Sequence, residues 1–129
     1  MKPIAEKYLE KAERAIRAAA TLMASETPEF APGRAYYAMF YATQALLYEK
    51  GIELRKHGAV HSAFGEQFAK TGLLDAKLHR WLLNAYDDRI VGDYGADAEM
   101  SSEQVALVIE HAREFLAVSQ RFLRQPIQP

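Results

Sequence analysis

Apolar residues recur along this chain at three- and four-residue spacing, and that period predicts helices from end to end. Pro3 suits a first helical position, and Ile4, Tyr8, Ala12, Ala15, Ile16, Ala19, Leu22 and Met23 then mark one face through about Ala24. Ser25 to Gly33 reads as a connection, with Pro28 and Pro32 as breakers. A second helix is expected from about Gly33 to Lys50, with Gly51 as its C-terminal cap. Its centre, Tyr36-Tyr37-Ala38-Met39-Phe40-Tyr41-Ala42, has no polar face. Such a helix is wrapped by other helices, buried in an oligomer, or both. Tyrosine offers large area and a hydroxyl that wants a partner, so Tyr36, Tyr37, Phe40 and Tyr41 form the expected interface of a homodimer.

A third helix is expected from about His57 to Lys70, with Val60, Ala63, Phe64 and Phe68 inward and Thr71-Gly72 ending it. Asp75 suits the N-cap of a fourth helix running to about Val91, whose stripe is Leu74, Leu78, Trp81, Leu82 and Ala85. Gly92 to Met100 reads as a loop. Ser101 and Gln104 have capping-box spacing and open a fifth helix lined by Val105, Val108, Ile109, Ala112, Phe115 and Leu116. No stretch alternates as a strand would. The expected fold is all-α, an up-and-down antiparallel bundle of about five helices. It forms one domain over residues 1–129 with a short disordered tail from about 125.

The next position on the fourth stripe is Arg89, which aims a guanidinium inward. A buried guanidinium needs acceptors, and Asp93 lies one helical turn on. Two readings stay open. Arg89 and a carboxylate pin the loop, or Arg89, Asp93 and Tyr94 form a polar site at a helix end.

Composition narrows the classes. A net charge of −1 gives no global drive towards nucleic acid or an anionic membrane. The absence of cysteine excludes disulfides, thiolate zinc sites and a cysteine nucleophile, and fits a cytoplasmic protein. No apolar run has the length of a bilayer span, so no membrane association is expected. His57 and His61 have the i, i+4 spacing of a metal-binding pair, but no third ligand is evident. No Gly-rich phosphate loop is present. Neither a metal nor a cofactor is expected.

Gly33-Arg34-Ala35-Tyr36-Tyr37-Ala38-Met39-Phe40-Tyr41-Ala42 resembles the opening of one branch of the HEPN (higher eukaryotes and prokaryotes nucleotide-binding) family. Lys56-His57-Gly58-Ala59-Val60-His61, then Phe64 and Phe68 to Leu74, is similar to the middle of that branch, and Arg89 to Tyr94 matches its R-x-x-x-D-Y signature. The likeness runs in order over about residues 4 to 120. It implies a helical bundle, commonly a homodimer, partnered by a minimal nucleotidyltransferase in toxin–antitoxin-like pairs. Catalytic members are metal-independent ribonucleases that use an arginine and a histidine a few residues apart at a dimer cleft. Here Arg89 matches the arginine, but Asp93 and Tyr94 stand where the histidine would be, and the next histidine is His111.

The resemblance thus implies an interaction or regulatory module bound to a nucleotidyltransferase. Its alternative is a ribonuclease toxin with Asp93 and Tyr94 in the histidine's place. Charge bears on the choice. Lys50 to Arg80 holds six Lys/Arg, three Asp/Glu and three histidines, whereas Asp87 to Glu110 holds seven Asp/Glu and one arginine. An acidic signature repels phosphate unless the fold sets the basic middle beside it. Arg34, Arg55, Lys56, His57 and Lys70 are the candidate contacts to RNA or a nucleotide.

Overall fold

The computed structural model describes residues 1–95 and 100–125, except the side chain of Tyr94. Among the described residues there are five α-helices and no strand. They are α1 (Pro3–Met23), α2 (Ala31–Glu49), α3 (His57–Phe64), α4 (Ala76–Tyr94) and α5 (Ser102–Leu123). A short 3₁₀ turn, Pro28–Phe30, precedes α2, and a π-helical turn, Gly65–Ala69, continues α3. No described helix is long and apolar enough to cross a membrane.

Helix α1 runs antiparallel to α2 and α5, and α4 runs antiparallel to α5, so the packed pair α2 and α5 point the same way. The Lys2 amide at the start of α1 donates to Glu49 Oε1 at the end of α2, at 2.8 Å. Arg124, just past α5, donates to Glu6 of α1 at 3.0 Å, and Gln120 donates to Glu13 at 2.7 Å. Lys77 in the first turn of α4 pairs with Glu114 of α5 at 3.1 Å. Helix α2 packs on α1, α4 and α5 together. That arrangement accounts for its missing polar face within a single chain. Tyr36, Met39, Leu46 and Leu47 have no exposure at all. Burying each such side chain stabilises the fold by about 1.5–3 kcal/mol. A second aromatic layer joins the remaining elements, with Phe64 centred 5.6 Å from Phe68 and 5.5 Å from Phe115.

Local chemistry sets the ends. Asp75 accepts the Lys77 amide at 2.9 Å, and Ser101 with Gln104 makes a complete capping box on α5. Gly51 and Gly72 end α2 and the π turn with φ of 81° and 75°, a conformation that a Cβ disfavours.

Three boundaries differ from expectation. Helix α2 begins at Ala31, before Pro32, because a proline in the first turn loses no helical hydrogen bond. Helix α4 runs through Gly92 to Tyr94, well past Val91. The third helix does not stay α-helical to Lys70 but widens at Gly65, where a Cβ would meet the His79 ring at 2.8 Å. The loop beyond Gly95 and the tail beyond Gln125 lie outside the described residues.

Candidate functional site

Three helices bring polar and aromatic side chains together in one cluster. Helix α2 supplies Tyr36, Tyr37 and Phe40, the first turns of α3 supply His57 and His61, and α4 supplies Tyr86, Arg89 and Asp93. The buried Tyr36 hydroxyl lies 2.6 Å from His57 Nδ1 and 2.7 Å from His61 Nε2. Spacing of i, i+4 turns both imidazoles to one side of α3, and that side faces α2. Phe40 stacks on His57 at 4.7 Å with 20° between planes. Tyr86 closes the box from α4, centred 5.5 Å from His57 and 5.1 Å from His61.

Arg89 forms the charged edge of this box. Its Nε stands 3.4 Å from Asp93 Oδ2, with 16% and 28% of the two side chains exposed. Its guanidinium carbon lies 5.3 Å from the centre of Tyr37 and 6.0 Å from that of Tyr86, within cation–π range. Tyr37 carries a second guanidinium, that of Arg34, at 4.8 Å. Helix α4 comes close to α2 at Gly33, where a Cβ would sit 3.4 Å from the Asp93 carboxylate, an ordinary contact distance.

Electrostatics keep the box uncharged at its centre. Burial lowers the His57 pKa, and the Arg89 cation lowers it further. Burial takes His61 down to about 4, helped by His57 and His79 against a smaller pull from Asp87. Burial also raises the Tyr36 phenol, with Tyr37 and Tyr86 adding and Arg89 opposing. At neutral pH the site therefore holds two neutral imidazoles and a protonated phenol next to a permanent cation. A neutral imidazole can take a proton, and a guanidinium can hold a phosphate.

The structure brings Arg89, Asp93, Arg34 and His57 together. Tyr94 ends α4, and its side chain lies outside the description. Arg55 is largely solvated and pairs with Glu53 at 3.4 Å, and exposed Lys56 precedes α3. Lys70 lines a different shallow groove with Ser62 and His79. Of the tyrosine set, Tyr36 and Phe40 are buried inside the chain, which leaves Tyr37 and Tyr41 with surface to offer a second subunit. His111 lies elsewhere, stacked on Trp81 at 4.0 Å between α4 and α5. Sequence reasoning missed Tyr36 as a hydrogen-bonding centre, and with it His61 and Tyr86. The paired spacing of His57 and His61 was the available signal, and its shared target is a hydroxyl on α2.

Comparison with known proteins agrees with this frame. The HEPN domain family matches residues 5–122. A "Putative toxin" of Methanocaldococcus jannaschii is 37% identical over 118 residues, covering 92% of this chain and 80% of that protein. A "UPF0332 protein" of Gloeobacter violaceus is 32% identical, covering 97% of this chain and 100% of its own length. Another of that name, from Thermotoga maritima, is 33% identical over 93% of this chain and 91% of its own length. With the family pattern spanning nearly the whole bundle and relatives aligned along most of their length, the chain belongs to the HEPN family.

Proposed function

We propose that this protein is a toxin-type endoribonuclease that cleaves RNA without a metal ion, with Arg89 and His57 as its catalytic pair. The observation that carries the reading is their convergence on Tyr37 and Tyr86, which puts a neutral imidazole and a guanidinium on the same two rings. The imidazole absent from the sequence after Arg89 comes from α3 instead. His57 takes the proton of an RNA 2′-hydroxyl as that oxygen attacks the adjacent phosphorus. The bond to the 5′-oxygen breaks, and that oxygen takes a proton from water. The products are a 2′,3′-cyclic phosphate and a 5′-hydroxyl. Arg89 stabilises the crowded phosphate, and Asp93 orients Arg89. Arg34, with Arg55 and Lys56 next to His57 in the chain, offsets the acidic run around Arg89 for the flanking backbone. The name of the archaeal relative supports a toxin.

A second reading is favoured by the Arg89–Asp93 ion pair, since a carboxylate already occupies part of the ground a phosphate would take. In it, the protein is a dimeric interaction module that binds a minimal nucleotidyltransferase as its partner in a toxin–antitoxin-like pair. The test is cleavage of end-labelled RNA in excess chelator by the wild type, Arg89→Met and His57→Gln. Cyclic-phosphate ends from the wild type alone support the nuclease. No cleavage by the wild type, together with stable capture of the nucleotidyltransferase, favours the module.

A further inference from the structure

Tyr36 has one hydroxyl hydrogen and two imidazole partners, at 2.6 Å and 2.7 Å. One histidine receives that hydrogen, and the other must donate its own N–H to the oxygen. We infer that Tyr36 donates to His61 Nε2 and accepts from His57 Nδ1, so that Tyr36 and His61 are positioning residues that leave His57 Nε2 bare as the base. This rests on the nuclease reading of the same site. The geometry supports the direction. His57 carries its only described hydrogen bond at Nδ1, so as the base it uses Nε2, and a neutral ring with a bare Nε2 holds its hydrogen at Nδ1. His61 is buried and stays neutral, so it keeps one bare ring nitrogen for the phenol.

The arrangement also suits the reaction. When His57 takes a proton at Nε2, its Nδ1–H already points to Tyr36, and no group has to turn over. A buried carboxylate performs this orienting task in serine hydrolases, where loss of the right tautomer costs on the order of 10⁴ in rate. A phenol is the milder version, because its oxygen carries no charge. The groups facing His57 are Tyr36, Tyr37 and Phe40 of α2, Tyr86 and Arg89 of α4, and His61 on its own helix.

The test is heteronuclear NMR of the ring nitrogens, run beside RNA cleavage as a function of pH. The wild type should show His57 protonated at Nδ1 and bare at Nε2. In His61→Phe the hydroxyl has no other acceptor and donates to His57, which should move the proton to Nε2. Its turnover should fall at least about tenfold with KM for RNA unchanged. Tyr36→Phe should lose the tautomer preference. The acid limb of its pH profile should move to lower pH, because the imidazolium has lost its acceptor. A wild-type His57 protonated at Nε2 overturns the inference, whatever the variants do. So does unchanged turnover in a folded His61→Phe. If the wild type has the stated tautomer yet cuts no RNA, the nuclease reading fails while the hydrogen-bond direction stands.

Discussion

Exchanging Arg89 for methionine separates the guanidinium from its stem. Methionine refills most of the apolar path between Tyr37 and Tyr86, so the loss is confined to charged contacts. The ion pair with Asp93 is partly solvated, with 16% and 28% side-chain exposure, so it contributes about 1 kcal/mol and its loss lets water reach Asp93. The Tyr37 contact at 5.3 Å adds about 0.5–1 kcal/mol, and the Tyr86 contact at 6.0 Å adds less. Together these described contacts predict a destabilisation of about 2 kcal/mol, or roughly a 1 M drop in the urea midpoint. RNA cleavage should fall by about 10²–10³-fold, the cost of losing one preorganised transition-state contact. Urea melts and cleavage assays on one preparation give both numbers. Adding Asp93→Asn tests the pairing, since the double variant should cost about 1 kcal/mol less than the sum of the single ones. A loss above about 4 kcal/mol would mark Arg89 as a fully buried structural charge. Undiminished cleavage would remove it from the chemistry altogether.

Other outcomes follow from the same contacts. His61 is held down to about 4, so the unfolded chain binds the extra proton between its ordinary value near 6.5 and about 4. Stability is full above that window and falls by about 3 kcal/mol across it as pH drops. Denaturation of His61→Phe should show a flatter slope over that range. Ser101→Ala should cost about 1 kcal/mol by removing the capping box of α5, read by thermal melting. Gly92→Ala should be net destabilising by about 1–2 kcal/mol despite the better helix propensity of alanine, because a Cβ there collides with the Glu29 carbonyl oxygen. A gain in stability would refute that packing.

The helices were legible because each carries its own period. In α4 burial followed it, with Leu78, Leu82 and Ala85 all buried, whereas in α1 Ile4 is exposed and the core begins at Ala5 and Leu9. The ends were less so, because Pro32 and Gly92 read as punctuation although tertiary context decides their role. Pro32 falls in a first turn, and Gly92 is a close approach inside a helix. Arg89 stood out in the sequence because it breaks an apolar stripe locally. The imidazoles stood out only by their spacing, and their shared target was hidden because it is a phenol 21 and 25 residues away on another helix. A search for histidine in the residues after Arg89 looks along the chain, while His57, the partner proposed above, stands across the bundle on α3. The bare face of α2 had two explanations in sequence, and the core of one chain satisfies most of it.

Tyr36, the imidazole pair and Arg89 lie on three successive stretches of chain. Synthesis delivers α2 first, then α3, and the end of α4 last. A nascent chain therefore carries its phenol and both imidazoles without the guanidinium of Arg89. On the nuclease reading proposed above, the site stays incomplete until α4 has emerged and docked. Premature stops before Arg89 should likewise yield fragments that cells tolerate.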